Sequence, residues 1–291
     1  MKNYLTKKVW LLYALMLILP ACGGSSKKAA GEESAADSAA TRIPGIETML
    51  LNNVKVTWIQ DNAEERLMPR TLFADAPDSI IDRLNLQDGI PSSVSTFLVE
   101  TEGIRILFDT GLGAPDSRLT ESLKSLGIAP ADIKYLYLTH FHGDHIGGMM
   151  KGDSIVFPNA EVYASKTEYE AWMKMPEKQR AQVVKTMESY RKQLHLFEFG
   201  DTLPGRITAL GAVGHTPGHT VFQTEKLLVI GDLMHGAALQ AAYPEFSAAY
   251  DHDKEKAAET RKRFLKYAKD NGLTLAGMHL PAPAFMAAGQ Y

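Results

Sequence analysis

Three imidazoles and a carboxylate fall within six consecutive residues, His140–Phe141–His142–Gly143–Asp144–His145, and this stretch constrains the chain more than any other. The apolar and aromatic run from Ile133 to Leu138 leads into it and reads as a buried strand. Gly143, Gly147 and Gly148 let the backbone turn tightly afterwards. The cluster is therefore expected at a strand's C-terminal end, where α/β proteins place their chemistry. On an extended backbone His140 and His142 project to the same side. Asp144 and His145, beyond the glycine, can swing towards a second point nearby. Neutral imidazole and carboxylate are the usual ligands of zinc and similar divalent ions. A close pair of such ions can clamp both ends of a displacement reaction. A run of surface histidines on a polar turn is the alternative, but it leaves the strand–turn context unexplained.

The stretch resembles the HxHxDH signature of the metallo-β-lactamase superfamily. The resemblance extends from about Val54 to Pro283 and implies an α/β fold, a four-layer αββα sandwich with a one- or two-metal site at one edge. Asp109–Thr110–Gly111, after the strand Ile104–Phe108, resembles that family's DTG turn, whose aspartate supports the metal-site histidines from behind. Gly214–His215–Thr216–Pro217–Gly218–His219–Thr220 is similar to its third metal motif. On that comparison the histidine after Pro-Gly, His219, is the ligand, while His215 orients the loop through a hydrogen bond. Asp232 ends the buried strand Leu227–Gly231, thirteen residues after His219, and matches the bridging aspartate. His279, after the strand Leu273–Ala276, takes the place of the final histidine. The implied set is His140, His142 and His219 on one ion, and Asp144, His145 and His279 on the other, with Asp232 bridging. Two divalent ions are expected. Zinc is the default, and manganese, cobalt or iron also suits a donor set without sulfur. His195 and His252 have no motif around them and read as ordinary residues.

Departures from sister families narrow the substrate. Asp232 counts against a true β-lactamase, and His142 against the flavodiiron electron carriers, which place glutamate there. Only one helix remains at the C-terminal end, too little for the glutathione-binding domain of glyoxalase II. Acyl-homoserine lactonases commonly carry tyrosine three residues after the bridging aspartate, where this chain has His235. Gly231–Asp232–Leu233–Met234–His235 with Ala237–Gln240, and the ending His279–Leu280–Pro281–Ala282–Pro283, resemble the methyl parathion hydrolase group. That resemblance implies a dinuclear hydrolase whose bridging hydroxide attacks a small ester, lactone or phosphoester. Asp144, Asp232 and His235 are the expected catalytic residues, with His235 assisting the leaving group or serving structurally. Phe141, Trp172 and Phe246 are placed near the pocket, with a core position as the other reading of Trp172. An acyl-homoserine lactonase is the main alternative, followed by a β-lactamase or a metal-binding lipoprotein without turnover.

The N-terminus reads separately. Lys2, Lys7 and Lys8 precede an apolar run from Val9 to Leu19, closed by Leu19–Pro20–Ala21–Cys22, so residues 1–21 are expected to be a signal peptide. The closing residues resemble a bacterial lipobox and imply lipidation of Cys22. It is the only cysteine, so neither disulfides nor cysteine ligands remain. Residues 22–45 are rich in Ala, Ser, Gly, Glu and Lys and read as a tether to the hydrolase domain, 46–291. The expected location is the bacterial cell envelope, lipid-anchored to the outer membrane on its periplasmic or outer face, since Gly23 rather than Asp follows Cys22. Removing residues 1–21 takes three lysines and no acid, so the formal charge moves from −3 to −6. No basic block appears, which excludes a nucleic-acid partner from the expectations. The expected partners are a small-molecule substrate and the membrane, and a homodimer is compatible.

The remaining pattern predicts a strand at Val54–Ile59 and a long loop with short helical pieces over 60–88, read as a pocket wall. A hairpin follows at Val94–Val99 and Ile104–Phe108, then a helix over 116–126. Ser165–Lys166–Thr167–Glu168 is a capping-box pattern opening a helix through Trp172. Further expected elements are a helix from Pro176 to about Gln193, a strand at Arg206–Ala212 and a helix from Asp253 to about Lys269. A hydrophobic share of 45% over 291 residues suffices for one large core or two merged half-domains.

Overall fold

The computed structural model describes residues 43–64 and 66–291, so the signal segment, Cys22 and most of the expected tether lie outside the described residues. The chain opens with strands β1 (Ile46–Leu51) and β2 (Val54–Gln60). A small ribbon of β3 (Arg66–Met68) and β4 (Ile90–Ser92) encloses α1 (Asp78–Arg83). The hairpin β5 (Ser95–Thr101) and β6 (Ile104–Phe108) leads through α2 (Leu119–Ser125) to β7 (Tyr135–Tyr137). Then come the one-turn helix α3 (Gly143–Ile146), the ribbon β8 (Met150–Lys151) and β9 (Ser154–Ile155), and β10 (Glu161–Ser165). Helices α4 (Lys166–Met173) and α5 (Glu177–Ser189) return the chain to β11 (Leu194–Phe197). The second half holds β12 (Thr202–Leu203), β13 (Ile207–Gly211), β14 (Thr220–Thr224) and β15 (Leu227–Gly231). It ends with α6 (Ala237–Gln240), α7 (Lys254–Asn271), β16 (Thr274–Gly277) and β17 (Phe285–Met286).

Two sheets result, a seven-stranded one in the order β1-β2-β5-β6-β7-β10-β11 and a six-stranded one running β12 to β17 in sequence order. Strand alternation explains how the first sheet serves two layers. Phe97, Val99, Ile106, Phe108 and Tyr137 face a core shared with Phe222, Val229 and Leu275 of the second sheet. Leu98, Leu107 and Leu136, on the opposite face, pack with Leu119 and Leu123 of α2, Trp172 of α4 and Val183 of α5. β15 is buried at every position, as a strand covered on both faces must be. α7 contributes Phe264, Leu265 and Ala268 to the core it shares with β15. The architecture is the expected helix–sheet–sheet–helix sandwich.

β6, β7, β10 and β11 run parallel, as do β15 and β16. Their carboxyl ends carry Asp109, His140, Asp232 and His279 to one edge. The segment 60–88 is more ordered than the sequence implied, because β3 pairs antiparallel with β4. The helix expected over 116–126 is confined to Leu119–Ser125, since Asp61 accepts from the Ser117 hydroxyl and the Leu119 amide and holds the preceding turn.

Candidate metal centre

The turn after β7 delivers His140 and His142 to one point, as alternation requires. His140 Nε2 lies 3.0 Å from His142 Nδ1, and His215 Nε2 lies 3.2 and 3.0 Å from those two atoms. With Asp232 they form one group of converging donors. Asp144, His145 and His279 form a second, with His279 Nε2 3.5 Å from Asp144 Oδ2. Asp232 stands between the groups. Its Oδ1 is 3.1 Å from His145 Nε2, and its Oδ2 is 3.2 Å from both His215 Nε2 and His279 Nε2.

The outward nitrogens of these rings are tied to acceptors, which aims the inward ones at the cluster. His145 Nδ1 donates to Asp109 at 2.7 Å, and His279 Nδ1 to the Ser93 carbonyl at 2.8 Å. His140 Nδ1 donates to Thr139 Oγ1, which itself donates to Asp109. His215 Nδ1 donates to Asp251, a carboxylate also held by the buried Arg261. Burial drives His140 well below the ordinary histidine range and His142 to about 3, so both keep their lone pairs. Burial lowers His215 too, but Asp232 and Asp251 more than reverse that and carry it up to about 9. Asp232, which burial alone would raise, is held well below the carboxylate range by the imidazoles around it.

This donor set fits a divalent metal. The buried His145 Nε2 and Asp232 Oδ1 lie 3.1 Å apart without a hydrogen bond between them, and the inward nitrogens of His140, His142 and His215 crowd to within 3.0 to 3.2 Å of one another. Such an arrangement is costly without a cation to neutralise it. Nitrogen and oxygen donors without sulfur suit zinc and similar ions.

The structure departs from the sequence reading at one expected ligand. His219 does not join the cluster: its Nδ1 donates to the Ala212 carbonyl, and its Nε2 accepts the Asp232 amide at 3.0 Å. Both nitrogens are spent on backbone, and burial with the neighbouring His215 lowers the ring to about 3. His215, expected only to orient the loop, occupies the vacant corner of the cluster instead. Gly231, at a positive φ of 50°, permits this packing, since a Cβ there would sit 2.5 Å from His219 Nε2.

A cavity of about 310 Å³ opens onto the cluster, lined by His142, Asp144, Asp232, His235 and His279 and also by Arg66, Met68 and Tyr250. His235 Nε2 lies 3.2 Å from Asp232 Oδ2, its ring stacks on His279 at 5.3 Å, and its Nδ1 has no partner among the described residues. Of the aromatic residues expected at the pocket, Phe141 is buried in the outer helical layer, because it alternates with the two histidines beside it. Phe246 packs against the small cluster of Met68, Phe73 and Ile81 rather than lining the cavity. Trp172 belongs to the core but also lines an adjoining groove of about 460 Å³ with Met175, Pro217 and Tyr250, reached past His142. Arg66, Met68, Tyr250 and Asp251 carry no motif, and only the pocket-wall reading of residues 60–88 pointed towards the first two.

Residues 89–279 match the model of the metallo-β-lactamase superfamily. Among solved structures, the beta-lactamase-superfamily hydrolase AbOPH superposes with a TM-score of 0.74 at 28% identity, covering 84% of this chain and 94% of that one. The dizinc quorum-quenching lactonase AidC, solved with its product N-hexanoyl-L-homoserine, gives 0.75 at 26% identity over 84% and 93%. An N-acyl homoserine lactonase from a Bacillus species is 28% identical over 163 residues, 45% of this chain and 58% of that protein. The chain spans less than two thirds of the length of the curated relatives it matches. The superfamily match begins at Gly89 and ends on His279 itself, so it takes in every residue of the cluster, and the chain belongs to the metallo-β-lactamase superfamily.

Proposed function

We propose that this chain is a dinuclear, zinc-dependent hydrolase of small esters, lactones or phosphoesters. The observation that carries the reading is the position of Asp232, whose two oxygens face the two ligand groups from between them. His140, His142 and His215 would hold one ion, and Asp144, His145 and His279 the other. Ions bound there would supply Lewis acidity and a nucleophile at neutral pH. The chain's own groups orient the substrate: Met68 and Tyr250 wall the cavity, and Arg66 at its rim offers a cation to a carbonyl or phosphoryl oxygen. In this reading His235 hands a proton to the departing oxygen or, as the other reading of the same position, supports His279. The groove of Trp172, Met175 and Pro217 gives an acyl arm somewhere to lie.

The lactonases among the relatives support a lactone as substrate. The run Gly231–Gln240 and the ending His279–Pro283 support a place near the methyl parathion hydrolase group. The N-terminal pattern supports a lipid anchor on Cys22 and a place on the bacterial envelope; Cys22→Ala should then release the protein from membranes, and retention would refute the anchor.

Metal analysis of the purified protein, with hydrolysis of an acyl-homoserine lactone, a nitrophenyl ester, a phosphotriester and a cephalosporin, tests the proposal. Two ions per chain with turnover of a lactone or ester is the expected result. A protein that binds no ion tightly would overturn it.

A further inference from the structure

We infer that Glu168 is the positioning residue for the ion held by His140, His142 and His215, an inference that rests on the dinuclear reading above. Glu168 is 1% exposed and its carboxylate accepts four hydrogen bonds. Oε1 receives the Phe141 amide at 3.1 Å and Trp172 Nε1 at 2.7 Å. Oε2 receives the Thr216 hydroxyl and the Gly218 amide, both at 2.8 Å. Phe141 lies between His140 and His142, while Thr216 and Gly218 follow His215. Two loops far apart in sequence thus meet on one carboxylate. The fourth donor, Trp172, turns its ring edge-on to His142 at 5.8 Å.

The close fit is specific to this arrangement. Gly218 approaches so near that a Cβ there would lie 2.2 Å from the Glu168 amide. The Phe141 and Gly218 amides are buried donors that need an acceptor, and one carboxylate satisfies both while setting the distance between their loops. A glutamine of the same shape cannot do so, because its amide nitrogen would meet a donor. The second ligand group is held differently, through Asp109 behind His145 and the Ser93 carbonyl behind His279. Glu168 therefore acts on one metal position and not on the other.

The test is a zinc titration of the apo full-length protein against a chromophoric chelator, for Glu168→Gln in two backgrounds. His279→Ala removes a ligand of the second ion, and His142→Ala one of the first. Glu168→Gln is expected to weaken the ion left in the His279→Ala background about 10–100-fold. It should leave the ion in the His142→Ala background unchanged. Unchanged affinity in the first background, or equal weakening in both, would overturn the inference. The core truncation Leu123→Ala in α2 serves as the control for general destabilisation: it should lower the melting temperature without the selective loss. Should Glu168→Gln not fold, Trp172→Phe removes one donor while keeping a ring against His142, and must show a smaller loss at the same ion. A wild-type protein that binds no zinc would sink the dinuclear reading; two ions in wild type with a silent Glu168→Gln would sink this inference alone.

Discussion

Asp109 accepts the Nδ1–H of His145 at 2.7 Å from a left-handed backbone conformation, φ 56°, that residues other than glycine seldom adopt. Such a conformation costs about 1 kcal/mol or more and persists only where its surroundings impose it. Here they do, since the same carboxylate also receives the Thr139 amide and hydroxyl at 2.8 and 2.7 Å. Asp109 thereby joins the end of β6 to the turn that carries the histidines.

Replacing Asp109 separates its two effects. Asp109→Gly relieves the backbone strain but frees His145, so it is expected to weaken the ion at Asp144, His145 and His279 about 10–100-fold. Metal titration of the variant checks this. Wild-type affinity would show that the hydrogen bond to His145 does not matter for metal binding.

Much of this arrangement is legible in the sequence because it is local. β7 and its histidines are contiguous, and alternation alone puts His140 and His142 together while sending Phe141 the other way. The strands at Val54, Ile104 and Leu227 show themselves through apolar runs bounded by turns. The capping pattern at Ser165 is half realised: Ser165 Oγ accepts the Glu168 amide, but the Glu168 side chain turns inward to the loops instead of back to the helix start. Nothing local distinguishes His215 from His219, four residues apart in one loop. Which ring reaches the cluster depends on how that loop packs on Glu168 and Gly231. The cavity walls at Met68 and Tyr250 come from segments remote in sequence, and no period or motif marks them.

His215 and His219 make a direct contrast. His215→Ala should lose one ion per chain and nearly all turnover. His219→Ala should retain both ions and lose about 1–3 kcal/mol of stability, because it leaves the Asp232 amide and the Ala212 carbonyl without partners. Metal stoichiometry and thermal melting of the two variants decide it. The reverse pattern would restore His219 as the ligand.

Chelation should destabilise the protein as well as silence it. Without a cation, His145 Nε2 and Asp232 Oδ1 stay buried with only their 3.1 Å contact, which makes no hydrogen bond. A ligand at 100 times its dissociation constant adds about 2.7 kcal/mol to the folded state. For a domain of this size that corresponds to a fall in Tm of about 5–10 °C on stripping. Calorimetry before and after chelation, and again after zinc is restored, measures it; an unchanged Tm would argue against a metal held by these buried groups.

His235 can be assigned through its leaving group. On the proposed reading His235, buried beside Asp232 and stacked on His279, protonates the departing oxygen. An alkoxide, as released from a lactone, needs that proton, whereas nitrophenolate leaves unaided. His235→Leu is therefore expected to slow lactone hydrolysis about 10²-fold or more while the nitrophenyl ester is cleaved nearly as before. Both rates, measured with metal content, separate the roles. Equal loss on both substrates together with loss of an ion would make His235 a support for His279 rather than a proton donor.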